Sequence, residues 1–170
     1  MSAVRRAVSA DAGEIAGVDV RAWWHSYQEF LDEQRLLERT VEQRTGAWQE
    51  HLGAGAQRET WALEVAGRIA GYVSLGGSRD ADAEPETGEL FALYVDPPAQ
   101  GAGAGTVLLD HAEARLCELG RSAATLWTFE ANGLARAFYE RRGWLVDPSG
   151  AGNEGCESWA PAVRYRRELG

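Results

Sequence analysis

The sequence predicts one α/β domain over residues 1–170, with its elements in the order β-α-α-β-β-β-α-β-α-β-β. Three observations predict this class. Apolar and polar residues alternate from Trp61 to Leu75, which is typical of a half-buried β-hairpin. A short apolar run from Leu90 to Val95 is typical of a strand covered on both faces. From Thr106 to Leu119, apolar residues recur at the spacing of one buried helical face.

The N-terminal third of the chain predicts a strand and two helices. Val4–Val8 is the candidate first strand. Asp11 and Glu14 have the spacing of a capping box and precede an apolar helical pattern. Thr40 and Gln43 repeat that spacing before the second helix, and the stretch between the two helices is compatible with a short helix or a loop.

The rest of the chain alternates strands with turns and helices. Gly67 marks the tight turn of the hairpin, and the acidic stretch Gly76–Thr87 predicts an exposed loop before the central strand. Gly120 predicts a left-handed cap at the end of the following helix. The remaining elements are a strand at Leu126–Phe129, a helix from Asn132 to Gly143 and a last strand at Ala162–Arg167.

The segment after the central strand predicts an anion-binding loop. Pro97 and Pro98 lack amide hydrogens and therefore end the ladder pairing. Gly101, Gly103 and Gly105 then allow the main chain to approach a ligand closely, with its N–H groups turned outward. Because the start of the next helix adds free amides and the positive end of its dipole, the expected ligand is a phosphate or a pyrophosphate.

Particular residues of this chain exclude two common types of phosphate-binding loop. A nucleoside-triphosphate loop needs a lysine after its last glycine, and all 17 basic residues of this chain are arginines. The dinucleotide fingerprint needs a glycine where this chain has Thr106. It also needs an acidic residue about 20 positions further on, and the stretch from Gly120 to Leu126 offers none.

The pattern that fits is an acyl-carrier loop. Gln100-x-x-Gly103-x-Gly105, between a strand and a helix, resembles the acetyl-coenzyme A signature of the GNAT acyltransferases, Q/R-x-x-G-x-G/A. The segment from Asn132 to Trp144 is similar to the family's N-x-x-A-x-x-F-Y-x-x-x-G-F segment, with Trp144 in place of the usual Phe. The resemblance implies the GNAT fold, a mixed central β-sheet of about six to seven strands flanked by helices. It also implies acetyl-coenzyme A as the co-substrate.

The resemblance further implies which residues contact the carrier. Tyr139 matches the family tyrosine near the sulfur, where a protonated phenol serves as a general acid; alternatively, it packs its helix against the sheet. Asn132 matches an asparagine that touches the carrier arm, and it is also a good N-cap. The implied carrier contacts are Leu93, Tyr94, Val95, Gln100, Gly101, Ala102, Gly103, Ala104, Gly105, Thr106, Asn132 and Tyr139.

The acceptor side has fewer signals. Glu89 on the central strand is the candidate general base and a substrate contact, or else a strand-end glutamate in solvent; His25 and His111 are its competitors. The resemblance places the acceptor beside the first helices, where Trp23 and Tyr27 are the candidate substrate-binding residues. Their aromatic faces attract ammonium groups, although the same helical spacing suits core residues.

These features predict an N-acetyltransferase that moves acetyl from acetyl-coenzyme A to a primary amine by direct attack in a ternary complex. The alternative is a non-catalytic acyl-coenzyme A-binding or sensor module on the same fold. The acceptor is expected to be a small-molecule or peptide amine, and the sequence identifies neither it nor the length of the acyl group. A homodimer is compatible with the family, but no exposed stripe in the sequence establishes one.

Composition excludes several other classes. The net charge of -9 argues against a nucleic-acid partner, because phosphate binding needs a basic field. No apolar run approaches the ~20 residues of a membrane span, and no secretion signal is visible, so the expected location is the cytoplasm. The 2 cysteines lack metal-ligand spacing, so no metal is expected.

Overall fold

The computed structural model describes residues 2–53, 58–149 and 160–170. Its strands are β1 (Ser2–Arg6), β2 (Arg58–Val65), β3 (Arg68–Gly77), β4 (Thr87–Val95), β5 (Ala123–Phe129), β6 (Leu145–Val146) and β7 (Ala162–Glu168). Its helices are α1 (Ala12–Tyr27), α2 (Glu33–Leu37), α3 (Val41–Gly53), α4 (Ala104–Glu118) and α5 (Gly133–Arg141). Within those described ranges, no helix combines the length and the apolar character that crossing a membrane requires.

The strands of the described residues form one mixed, 7-stranded sheet in the order β1-β2-β3-β4-β5-β7-β6. β4 and β5 run parallel, with Thr87 opposite Ala123 and Leu90 opposite Leu126. β7 pairs antiparallel with both β5 and β6. The predicted fold class, a mixed sheet of six to seven strands flanked by helices, is therefore confirmed.

The chain divides into two compact units. The first contains the residues up to Ser74 and Ala92–His111, and the second contains Leu75–Phe91 and Ala112–Gly170. The core of the first unit includes Ile15, Ala16, Val18, Trp48, Ile69 and Tyr72. The second unit buries Leu116, Ala123, Leu126, Trp144 and Tyr165. That residues 1–170 act as a single domain stays a prediction.

Of the two predicted capping boxes, one is present and one is wrong. At Thr40–Gln43 each side chain accepts the other residue's backbone N–H, at 3.3 and 3.5 Å. Before α1, the Asp11 carboxylate instead accepts the Val8 N–H at 2.8 Å. Glu14 accepts the Ile69 N–H of β3 at 2.8 Å. Glu14 therefore joins α1 to the sheet, because a strand donor competes with the helix's own N-terminus.

Candidate active site

The end of β4 leads through a proline turn into the glycine loop, Gly101–Thr106, whose last residues begin α4. Gly101 and Gly103 have φ angles of 78° and 86°, in the left-handed region that favours glycine. The Gln100 side chain donates from Nε2 to the carbonyl oxygen of Val95 at 3.0 Å. Gln100 thus ties the turn to the strand that it leaves.

The backbone amides of the glycine loop are available to a ligand. The first helical hydrogen bond of α4 runs from the Val107 N–H to the Gly103 carbonyl at 3.1 Å. Within the part of the chain that the structure describes, the N–H groups of Gly101 through Thr106 donate to no protein acceptor. Free amides at a helix N-terminus, together with the positive end of the dipole, suit a phosphate or a diphosphate. These residues therefore fit the diphosphate of an acyl carrier.

Close packing fixes the end of β4 beside this loop. A Cβ at Gly71 of β3 would lie 2.8 Å from the carbonyl oxygen of Tyr94, so the approach of the two strands requires glycine there. The Asp96 N–H donates to the Ala70 carbonyl at 2.8 Å. The Asp96 carboxylate accepts two hydrogen bonds from Arg21 of α1, both at 2.8 Å. The strand end is thus held by β3 and by α1.

An aromatic cluster adjoins the end of β4 in the first unit. The half-buried Tyr94 has its hydroxyl 3.4 Å from that of Tyr27. Trp23 and Tyr27 of α1 meet edge to face, with 4.4 Å between ring centroids, and are 5% and 7% exposed. The Arg39 guanidinium lies 4.4 Å from the centroid of the Trp23 ring. The Trp23 ring is therefore already in contact with a cationic side chain of the protein itself. A role for Trp23 and Tyr27 in substrate binding stays a prediction.

A buried carboxylate that was not predicted from the sequence holds this arginine. Asp19 of α1 is fully buried. Its Oδ1 accepts from Nη2 of Arg39 at 2.6 Å. Its Oδ2 accepts from Nε of Arg44 at 2.5 Å and from Nε1 of Trp48 at 3.3 Å. Because two guanidinium groups face one carboxylate, the cluster carries a net positive charge.

In the second unit, Glu89 is buried and already has a partner. It is 1% exposed, so the alternative of a strand-end glutamate in solvent is wrong. Its carboxylate accepts the Arg79 backbone N–H at 2.9 Å and Nη2 of the same residue at 2.6 Å. Of the competing bases, His25 is exposed on α1, and His111 packs against Trp61 with ring centroids 4.4 Å apart. The role of Glu89 as a general base stays a prediction.

The second family segment forms α5 and its flanks. The side chain of Asn132 accepts the Ala135 N–H at 3.1 Å, so the predicted N-cap is confirmed. Tyr139 is 8% exposed and has its ring centroid 6.1 Å from that of Trp144 and 6.3 Å from that of Tyr165. The packing of Tyr139 is therefore extensive, and its role as a general acid stays a prediction.

The acidic loop between β3 and β4 is not wholly exposed, contrary to prediction. Asp80 is 7% exposed, because Arg164 of β7 lies beside it at 3.3 Å. Arg164 also pairs with Asp82 at 2.6 Å and with Asp147 at 2.9 Å. Its hydrogen bonds to Asp82 lower the pKa of that carboxyl.

In the described parts of the chain, no group of three His, Cys, Asp or Glu residues is arranged to hold a metal ion.

The fold and the glycine loop are those of an acyltransferase of the GNAT type. Residues 19–144 match the acetyltransferase (GNAT) family, and the chain therefore belongs to that family. It is 30% identical over 132 residues to the uncharacterized N-acetyltransferase YuaI of Bacillus subtilis, covering 78% of this chain and 74% of that protein. It is 36% identical over 107 residues to a mycothiol acetyltransferase of Propionibacterium freudenreichii, but this match spans 63% of the chain and 32% of that relative.

Solved structures share the fold. The PaiA N-acetyltransferase of Thermoplasma acidophilum, in complex with coenzyme A, has a TM-score of 0.78 at 16% identity, and the match covers 99% of both chains. YncA of Salmonella typhimurium, whose structure contains its cofactor acetyl-coenzyme A, has a TM-score of 0.69 at 19% identity. That match covers 100% of this chain and 95% of the other. At these identities the likeness establishes the fold.

Proposed function

We propose that this chain is an N-acetyltransferase that moves acetyl from acetyl-coenzyme A to a primary amine by direct attack in a ternary complex. The observation that carries the proposal is the run of available N–H groups from Gly101 through Thr106 at the start of α4. Membership of the GNAT family supports the reaction class. Two solved structures of the same fold contain coenzyme A or acetyl-coenzyme A, which supports the choice of carrier.

Each part of the carrier has a candidate partner in the chain. When bound, acetyl-coenzyme A supplies an acetyl group activated as a thioester. The amides of the glycine loop hold its diphosphate, and Gln100 keeps the loop turned back toward β4. Main-chain atoms of Leu93–Val95 align the carrier arm, and Asn132 contacts that arm while it caps α5. Holding the carrier at several points places the thioester for attack and reduces the entropy lost in the reaction.

Two protons move during the transfer. The amine nitrogen bonds to the acyl carbon as the carbon–sulfur bond breaks, so nitrogen must lose a proton and the departing thiolate must gain one. Tyr139 donates the proton to sulfur, since an ordinary tyrosine is protonated at neutral pH. Glu89 receives the amine proton through water. Because its carboxylate already accepts hydrogen bonds from Arg79, Glu89 must weaken one of them to accept that proton.

The buried ion pair of Glu89 and Arg79 also favours a second candidate function, a non-catalytic acyl-coenzyme A sensor on the same fold. A sensor needs the glycine loop but no available base. Thiol release from acetyl-coenzyme A with a library of amines, combined with calorimetric titration of coenzyme A, separates the two functions. We expect release with at least one amine. Tight carrier binding without release would establish the sensor instead, and failure of carrier binding would contradict both functions.

Two variants connect these measurements to the site. We expect Gln100→Ala to weaken carrier binding, because the tie between the loop and Val95 is lost. Gln49→Ala, at an exposed position of α3, is the matched control and should leave binding unchanged. We expect Glu89→Gln to lower kcat while the Kd for coenzyme A stays the same. An unchanged kcat would remove Glu89 as the base but leave the proposed reaction standing.

A further inference from the structure

The guanidinium of Arg39 has unused hydrogen-bonding capacity. An arginine side chain carries five N–H donors. Within residues 2–53, 58–149 and 160–170, Arg39 donates a single side-chain hydrogen bond, from Nη2 to Asp19 at 2.6 Å. Its Nε is buried and meets no acceptor in those residues. Because 18% of the side chain is exposed, a solute can reach part of this group.

The charge around Arg39 is not balanced by the residues that hold it. Asp19 is its ion-pair partner, and Arg44 shares the same carboxylate. Both oxygens of Asp19 are therefore already occupied by cations, and one positive charge is left over. This excess lies in a protein whose net charge is -9, so it is a local feature and not a general property of the surface. A half-buried cation of this kind is stabilised by an added anion.

Arg39 also lies beside the strand end at which the proposed carrier arm is aligned. Its guanidinium contacts the ring of Trp23. Trp23 packs on Tyr27, whose hydroxyl is 3.4 Å from that of Tyr94 on β4. Burial lowers the pKa of Arg39, but Tyr94 and Asp19 raise it, and the net effect is an increase. Contacts through Trp23 and Tyr27 thus connect Arg39 to Tyr94 near the end of β4.

We infer that Arg39 binds a carboxylate of the acceptor, so that the preferred acceptors are amino acids or other amines that carry a carboxylate. The inference rests on the proposed function, since it needs an amine that reacts at the end of β4. Arginine pairs with a carboxylate through two parallel hydrogen bonds, which fix orientation as well as position. A simple alkylamine or a polyamine would meet a positive charge at the Trp23 ring instead of an open aromatic face.

Matched acceptors test this inference on the unaltered protein. Each amino acid is compared, by thiol release, with its primary amide and with the amine that lacks the carboxyl group. We expect kcat/KM to be about 10- to 100-fold higher for the acid, the effect of one charge-assisted pair. Equal kcat/KM values, or higher values for the amide or the amine, would overturn the inference but leave the proposed N-acetyltransferase activity standing. Release with no amine at all would overturn the proposed function, and the inference with it.

A variant separates direct recognition from structural support. We expect Arg39→Gln to raise KM at least about tenfold for the acids and to leave KM for the amides unchanged. Arg35→Gln removes an exposed arginine that pairs with Glu38 at 3.6 Å. We expect it to leave KM unchanged for both the acids and the amides. An equal rise in KM for acids and amides would mean that Arg39 only supports Asp19 and Trp23, which would overturn the inference. The comparison of acceptors with the unaltered protein decides the question even if Arg39→Gln fails to fold.

Discussion

Replacing Gly103 by alanine tests the glycine loop, and replacing Gly120 is its matched control. The two residues have φ angles of 86° and 76°, and a Cβ at either would meet no atom within 4 Å. The substitutions therefore cost backbone strain without a clash, about 1–2 kcal/mol each for the left-handed conformation. At about 2–4 °C per kcal/mol, Gly120→Ala should lose roughly 2–8 °C in Tm, and Gly103→Ala should lose less, because its loop can turn to relieve the strain.

The two variants should differ in their binding of coenzyme A. At Gly103 the strain is relieved by turning the loop, which moves the free amides away from the diphosphate. If the competent loop costs about 1–2 kcal/mol more, the affinity for coenzyme A falls about 5- to 30-fold. Gly120 lies at the other end of α4, so its variant should bind normally. Calorimetric titration gives the affinities, and equal Kd values for the two variants would refute the role of the loop.

Three further substitutions test a proton donor, a close approach of two strands and a titrating histidine. Tyr139→Phe should lower kcat about 100-fold or more and leave the Kd for coenzyme A nearly unchanged, as removal of a general acid does; weaker binding with normal turnover would mean that Tyr139 only packs. Gly71→Ala should lower the free energy of unfolding by roughly 1–3 kcal/mol and weaken carrier binding, because its Cβ would lie 2.8 Å from the Tyr94 carbonyl. A Cβ at Gly46 would meet open space, so Gly46→Ala should lower neither stability nor carrier binding. Equal effects of Gly71→Ala and Gly46→Ala would count against the packing argument. Burial, with smaller contributions from Arg58 and Arg44, lowers the pKa of His51, so stability should fall as the pH drops below about 6.5, where the unfolded chain takes up the proton first. His51→Gln should flatten the Tm profile between about pH 7 and pH 5, and an unchanged slope would exclude His51 as a cause.

The parts of the fold that depend on neighbouring residues were predictable from the sequence. The glycine loop and α4 follow from a strand, two prolines and spaced glycines, which act within a few residues of one another. The same is true of the Asn132 cap, whose partner Ala135 is three positions away. Gly120 adopts the left-handed conformation that its position after a helix predicts.

The parts that depend on distant partners were not predictable in this way. Asp19 is held by Arg39 and Arg44, which lie 20 and 25 positions further along the chain. Its single local signal is an acidic residue beside the buried Val18, within the apolar face of α1. Glu14 has its partner 55 positions away, at the Ile69 N–H, so local capping rules gave the wrong bond. Tertiary contacts decided the partners in both cases.

Amide chemical shifts give the sharpest test of diphosphate binding by the glycine loop, because they report each N–H group of the loop separately. Coenzyme A is titrated into ¹⁵N-labelled protein, with pantetheine, which lacks the diphosphate, as the control ligand. We expect saturating coenzyme A to move the resonances of Gly101–Thr106 downfield and pantetheine to leave them in place, while Gly120 responds to neither. If coenzyme A binds but shifts the loop amides no more than it shifts the Gly120 amide, the loop does not hold the diphosphate.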